Sequence, residues 1–472
     1  MTRSAFPSPL TVANLGLESF AESLLTTGQN VHHVNWQPIA GGDERLAWQL
    51  AQTFADERVD RANQEALARY QSANPVLVDI VEARNAIHAL AEQKMLLHAG
   101  PPIAWRDMCG PMQGALCGAV VLEGWAETLD EARHQLDIGA VALSPNHHHG
   151  AVGPMAGVIS PSMPVWVVEN TQTHQRAYSN FNEGLGPVLR FGANAPEVLK
   201  RLRWMAGVLA PTLRRALKKT GPLPLKPIQA QALQMGDECH NRNVAATGLV
   251  LKALAPALAE LEQGSDVLRF IAQNDHFFLN LSMASAKAML DAARDVPFSS
   301  MVVAMARNGV NFGVQLSGTG HQWFQAPAKV VDGLFFPGYS TEDAAADLGD
   351  SAITETAGLG GFAMAAAPAI VRFVGGTVPD AIAQSQRMHK ITLAKSDLFT
   401  LPALNFEGTG IGIDARLVLE THTLPVINTG IAHRQAGIGQ IGAGITTAPQ
   451  ACFIDAIRAL HATLTQNGDL TK

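Results

Sequence analysis

Three consecutive histidines at 147–149 head the run HHHGAVGPMAG. On a strand or in a loop, alternate side chains share a side, so His147 and His149 could together bind a transition metal or donate to an anion. The plain alternative is a polar loop tip before a Gly-Pro turn. A second cluster, MGDECHNRN, packs Asp237, Glu238, Cys239, His240, Arg242 and Asn243 ahead of a helical run from 244. Helix-start amides favour anions. Against that, Glu238 and Arg242 have the i,i+4 spacing of an ordinary ion pair. Adjacent Cys239 and His240 diverge on a helix, which disfavours a metal there. In NDHFFLNLSMASAK, Asp275, His276, Asn280 and Lys287 lie along an apolar helix, either as a core network or as a pocket wall.

The stretch 336–361 has the strongest functional character. Asp343, Asp347, Asp350 and Glu355 precede Gly358, Gly360 and Gly361. Those glycines would offer free amides to a phosphate-like group. Carboxylates beside a phosphate call for a cation between them, so Mg²⁺ or another divalent ion on Asp350 and Glu355 is an expectation. The G-x-G-x-x-G match at Gly437, Gly439 and Gly442 is rejected as a dinucleotide site. It does not close directly on the strand at 424–428, and only 30 residues follow it. Backbone packing, or a nest for a small anion beside His433 and Arg434, fits better. No G-x-S-x-G, H-E-x-x-H or P-loop motif occurs.

The elements around these clusters alternate in type. An apolar run at 10–14, a helix at 17–27 and a strand at 30–36 read as β-α-β, followed by a helix over 43–70. Strands at 76–80, 94–97 and 118–122 then alternate with helices near 80–93 and 127–136, and 164–169 reads as a further strand. The region 195–297 is mainly helical. Beyond it, strands at 302–305 and 312–316 flank an Arg307-Asn308-Gly309 turn, Ser340 and Asp343 form a helix cap, and 450–464 is a final amphipathic helix. The expected fold class is multidomain α/β. It has N-terminal Rossmann-like segments, a helical middle and a mixed C-terminal region, divided at 1–72, 73–195, 196–298 and 299–472.

Composition narrows the class. With 47% hydrophobic and 16% charged residues in 472, the chain can bury large cores. A net charge of −7 and only 3 tyrosines leave no footprint for nucleic acid. Four cysteines without paired spacing suit a reducing compartment, and no leader segment is apparent, so a cytoplasmic location is expected. The apolar run 357–371 stops at Arg372, short of about 20 residues, and reads as a packed buried helix rather than a membrane span.

In constant order, NWQPIAGGD, HAGPP, VGPMAGVI, QALQMGDECHNRN, NDHFFLNLSMA, MARNG, GDSAITET and LPVINTGIAHRQAG resemble the AllG/YlbE-type family over nearly the whole chain. Two departures stand out: Asn146 replaces the family's usual Cys, and AIHALAEQKM precedes LHAGPP in place of Ile-Pro-Gly-Met. The resemblance implies a subunit of a bacterial oxamate carbamoyltransferase. Such an enzyme uses phosphate to split a ureido compound such as oxalurate into carbamoyl phosphate and an amide or amine. It works with an FdrA-like subunit and a third small subunit, so a homo- or hetero-oligomer is expected. That chemistry needs proton transfer, assigned to His147, His149 or His240 with Glu355. It also needs anion recognition, assigned to Arg190, Arg242, Arg307, Asn308, His433 and the glycines 358, 360 and 361. The competing classes are a non-catalytic substrate-binding subunit and a stand-alone metal-assisted amidohydrolase.

Overall fold

The computed structural model describes residues 11–34 and 38–466. By contact it falls into two compact units, Met1–Trp48 and Gln49–Lys472. In the first, the strands Thr11–Leu15 and Asn30–Val34 pair in parallel through the helix Glu18–Leu25, as the β-α-β pattern requires. The expected ends at residues 10, 35 and 36 lie outside the described residues.

The helix expected over 43–70 is two helices, the first of them Glu44–Ala55. Asp56 ends the first and caps Glu57–Ser72, its carboxylate accepting from Arg58 N–H at 2.9 Å. A mixed five-stranded sheet runs in the order Ala151–Val152, Arg176–Asn180, Pro164–Asn170, Pro75–Glu82, Leu223–Pro224, and only its first pair is parallel. Against it packs the helix Leu279–Ala292, in which every residue from Leu279 to Leu290 is buried. A helix buried all round has no solvated face, so its polar members, Asn280 and Lys287, must be partnered inside the protein.

The hairpin Val302–Asn308 and Asn311–Leu316 forms as its turn residues predict, flanked by Phe324–Pro327 and Leu348–Gly349. A three-stranded antiparallel sheet joins Asp332–Phe335, Gln440–Thr447 and Val426–Ala432. The result is a mixed α/β protein. One hydrophobic cluster draws residues from Ala62 to Ala432.

Two expected elements are corrected. Residues 118–122 are not a strand but the end of the helix Gly110–Leu122. Pro111 starts that helix, and Gly114 and Gly118 let it press on a neighbour: a Cβ at Gly114 would lie 2.4 Å from the Gly192 carbonyl. Being buried on nearly all sides, it lacks the periodicity that separates helix from strand. Residues 357–367 are buried as expected, Ala369 is exposed, and the run breaks into short 3₁₀ turns, Gly360–Phe362, Met364–Ala366 and Pro368–Ile370. Non-helical backbone at Ala363 and Ala367 interrupts the run. No helix among the described residues is long and apolar enough to cross a membrane.

Candidate active site

The segment 347–361 organises the region, because three of its carboxylates are each held by a different set of donors. Asp347 takes Arg307 in a two-pronged pair, with Nε at 2.7 Å and Nη2 at 2.9 Å. Arg307 also donates to the Gly349 carbonyl, Ser351 Oγ and Thr429 Oγ1. Its five donors are thus all taken and the side chain is fully buried. The expectation that Arg307 recognises phosphate is therefore corrected: it braces the segment. Asn308 is corrected likewise. Its amide donates to the Pro101 carbonyl, and its Oδ1 accepts from Val310 and Asn311 N–H, which shapes the hairpin turn.

Asp350 accepts from Gly100 N–H at 2.7 Å, Asn146 Nδ2 at 2.8 Å and Gly153 N–H at 3.0 Å. Burial pushes its pKa up to about 6 despite those donors and Arg307. The Asn146 amide thus has a defined structural duty. His147 stands next to it, with Nε2 3.6 Å from Asp350 Oδ1. Although His147 is buried, neither ring nitrogen has a hydrogen-bond partner. Burial, then the charges of Lys287, Arg294 and His148, hold its pKa well below the usual histidine value, so the ring is neutral. The three histidines form a 3₁₀ turn, Asn146–His149, not a strand. His149 consequently points elsewhere, to Ser144 Oγ at 2.9 Å, while His148 accepts from Trp323 Nε1 at 3.0 Å. His147 and His149 therefore do not act on one point.

His147 and His148 face a cavity of about 550 Å³ also lined by Lys287, Asp291, Arg294 and His321, with Arg69 and Gln172 among its other residues. Lys287 is fully buried and donates to Asp291 Oδ1 at 2.6 Å. Arg294 Nε reaches the same oxygen at 3.3 Å, and its Nη2 has no partner. Burial alone would raise the Asp291 pKa, but Lys287 and Arg294 outweigh it and the net shift is downward. Burial lowers the Lys287 pKa, opposed by Asp291. Two buried cations share one carboxylate beside a neutral imidazole with both nitrogens free. Such a seat is shaped for an anion. The sequence reading singled out Lys287 but passed over Asp291 and Arg294. Their signal was available: 287, 291 and 294 follow i, i+4, i+7 spacing at the end of an apolar helix.

On the other flank, Glu355 holds His240 Nδ1 with both oxygens, at 2.7 and 2.9 Å. Thr354 Oγ1, Gly361 N–H and Asn428 N–H complete its donors. Gly358 N–H goes to the Glu355 carbonyl and Gly360 N–H to the Glu238 carbonyl. The three glycine amides expected to cradle phosphate are thus occupied by protein oxygens, which corrects that assignment. At Gly360, φ is +56° and a Cβ would fall 2.2 Å from Glu355 Oε1, so the chain needs glycine there. The start of the helix Val244–Ala259 is likewise filled from within, by Asp237 accepting from Ala246 N–H at 2.8 Å. Glu238 accepts backbone N–H groups of His240 and Arg242 rather than pairing with the Arg242 guanidinium. Arg242 Nε lies 3.6 Å from Asp237 and makes no hydrogen bond.

Two further expectations move away from the site. Arg190 donates twice to the Gly184 carbonyl and lies over the Phe191 ring, closing its own loop. Burial, opposed by Glu183, brings its pKa to about 10. His433 accepts from Gln435 N–H and packs on Tyr339. The nearby glycines serve close packing: a Cβ on Gly442 would lie 2.4 Å from the Leu334 carbonyl. Nor do Asp350 and Glu355 fit a divalent cation, since backbone and side-chain donors ring both. Among the described residues no group of three His, Cys, Asp or Glu could hold a metal ion.

Fold and site thus define a mixed α/β protein with an open, cation-lined cavity beside a buried, neutral histidine. The profile of the family described as oxamate carbamoyltransferase subunit AllG matches residues 141–351. The AllG subunit of Escherichia coli (strain K12) is 48% identical over 408 residues, 85% of this chain and 97% of its own. YahG of the same organism, an uncharacterized protein, is 46% identical over 465 residues, 97% of this chain and 98% of its own. A crystal structure of a conserved protein of unknown function from Enterococcus faecalis V583 superposes with a TM-score of 0.84 at 47% identity. It covers 86% of this chain and 98% of that one. The chain belongs to the AllG family of oxamate carbamoyltransferase subunits.

Proposed function

We propose that the chain is a carbamoyltransferase subunit for the phosphate-dependent cleavage of an oxalurate-like ureido acid, or its reverse. The observation that carries this reading is the 550 Å³ cavity in which Lys287, Arg294 and the unpartnered His147 meet. Lys287 and Arg294 orient a phosphate oxygen toward the ureido carbonyl carbon. As the O–C bond forms and the C–N bond breaks, the departing nitrogen needs a proton, and phosphate has one to give. Neutral His147 can relay it, taking it from phosphate and delivering it to the amide. Asp350, 3.6 Å behind Nε2, stabilises the imidazolium formed on the way. The products are carbamoyl phosphate and the amide. An FdrA-like subunit and a third small subunit are the proposed partners.

The test is to purify the chain alone and with those subunits, then follow carbamoyl phosphate release from oxalurate as a function of phosphate. Release that requires phosphate and falls in Lys287→Met supports the reading. Release only in the mixture assigns the site to an interface. Oxalurate breakdown without phosphate would replace the proposal with a hydrolase.

A further inference from the structure

The carboxylate between the two cations of the 550 Å³ cavity is only half used. Lys287 Nζ and Arg294 Nε both donate to Asp291 Oδ1, at 2.6 and 3.3 Å. Asp291 Oδ2 accepts no hydrogen bond among the described residues. The Asp291 side chain is 17% exposed, against 1% for Lys287 and 8% for Arg294, and all three line the cavity. Asp291 is ionised, because the two cations overcome the effect of its burial. A bare, charged oxygen is thus left in a cavity that otherwise attracts negative charge.

The donors around it can be counted. Lys287 Nζ gives one of its three N–H groups to Asp291, and Arg294 Nη2 has no partner. Asn170, at the end of the strand Pro164–Asn170, supplies a third donor. Its Oδ1 accepts from Asn74 N–H at 2.9 Å and Gln172 N–H at 3.2 Å, which settles the orientation of the amide. The residue lines the same cavity, and its buried Nδ2 has no partner. Neutral His147 can offer its N–H to any bound anion, so it does not discriminate. Of the other charged residues in the wall, Arg69 is paired with Glu65, and Asp295 is exposed.

Three unmatched donors and one unmatched carboxylate oxygen ask for a ligand with three accepting oxygens and one O–H. Hydrogen phosphate has that pattern. Sulfate has the same shape and, in mildly alkaline solution, the same charge, but it has four accepting oxygens and no proton. Building on the anion seat of the transfer reading, we propose that Asp291 is the specificity-determining residue of this cavity. Its Oδ2 accepts the P–O–H of hydrogen phosphate and excludes oxyanions that carry no proton. Sulfate would set an anionic oxygen against Oδ2 with no hydrogen between them, and a like-charge contact of that kind rejects the wrong ligand. Cations alone would not choose between two dianions of one shape.

Phosphate, arsenate and sulfate are titrated calorimetrically into the full chain at mildly alkaline pH, where all three are dianions and only sulfate lacks an O–H. Phosphate and arsenate are expected to bind one to one, and sulfate about a hundredfold more weakly or worse. Asp291→Asn puts an N–H donor in place of Oδ2, so sulfate should tighten and phosphate weaken until they lie within about tenfold. Lys287→Met should weaken phosphate and arsenate while keeping their preference over sulfate, a split that a merely structural Asp291 would not produce. The comparison of the three anions in the unaltered protein stands by itself should Asp291→Asn fail to fold. Sulfate binding within about threefold of phosphate in the unaltered protein, or a preference that survives undiminished in Asp291→Asn, overturns the role of Asp291 and leaves the seat in place. Absence of saturable phosphate binding removes the seat, and the role of Asp291 with it.

Discussion

Replacing Lys287 by Met removes one charge from the cation-lined cavity and keeps most of the side chain's volume. Lys287 and Arg294 are the two buried cations there, and they share the single carboxylate of Asp291. A charged hydrogen bond to bound phosphate contributes about 1.5–3 kcal/mol, so phosphate affinity should fall roughly 10- to 150-fold. Stability moves less. Cutting a buried ion pair costs about 3–5 kcal/mol where it strands a charge, but Asp291 keeps Arg294, and the desolvation that lowers the Lys287 pKa is relieved. A loss of about 1–3 kcal/mol is expected. Lys287→Met combined with Asp291→Asn should lose further stability, because it also takes the carboxylate from buried Arg294, a non-additivity expected of groups in contact. Phosphate titration by calorimetry and urea unfolding of the four proteins of the cycle measure both quantities. Phosphate affinity within twofold of the unaltered protein in Lys287→Met would refute the anion seat.

Three other substitutions probe the frame of the site. Asp350 carries a folded pKa of about 6 against 3.8 unstructured, so the folded carboxyl binds its proton first. Stability should therefore fall as pH rises from about 4 to about 6, by an amount on the order of 3 kcal/mol. Urea unfolding of Asp350→Asn should lose the slope. Gly360→Ala places a methyl group 2.2 Å from Glu355 Oε1 at a positive φ and should cost about 2–4 kcal/mol. A thermal midpoint unchanged by that substitution would show that the His240–Glu355 clamp yields. Arg307→Met strands Asp347 in the interior and should cost about 3–5 kcal/mol. In whatever fraction folds, phosphate affinity should be unaltered, and a selective loss of affinity would return Arg307 to the binding role that its geometry denies it.

How much of this was legible depends on where each interaction's partner lies in the chain. The hairpin around Asn308 and Gly309 is local, and its turn chemistry was enough. So was the cap at Ser340 and Asp343, although it closes a 3₁₀ turn rather than a helix. The helix Gly110–Leu122 was misread because burial on nearly all sides removes the alternation that pattern reading depends on. The carboxylates of 347–361 stood out as acids in apolar sequence, and they are indeed buried. Their role was inverted for a physical reason: a carboxylate in an apolar run announces that it needs a positive or N–H partner, but not which kind. Here the partners are amides of Gly100, Gly153, Gly361 and Asn428, an arginine at 307 and a histidine at 240. Most of them are distant in sequence, and several are backbone groups that every residue but proline carries. Arginines fail in the same way: the residue type shows that Arg190 and Arg307 can bind oxyanions, and only the fold shows that Gly184 and Asp347 already occupy them. Arg294, by contrast, keeps a free Nη2 because Asp291 divides itself between two cations. An anion seat is therefore sought where unsatisfied buried donors and buried cations gather around one opening, and Arg294, His147 and Lys287 do so in a single cavity.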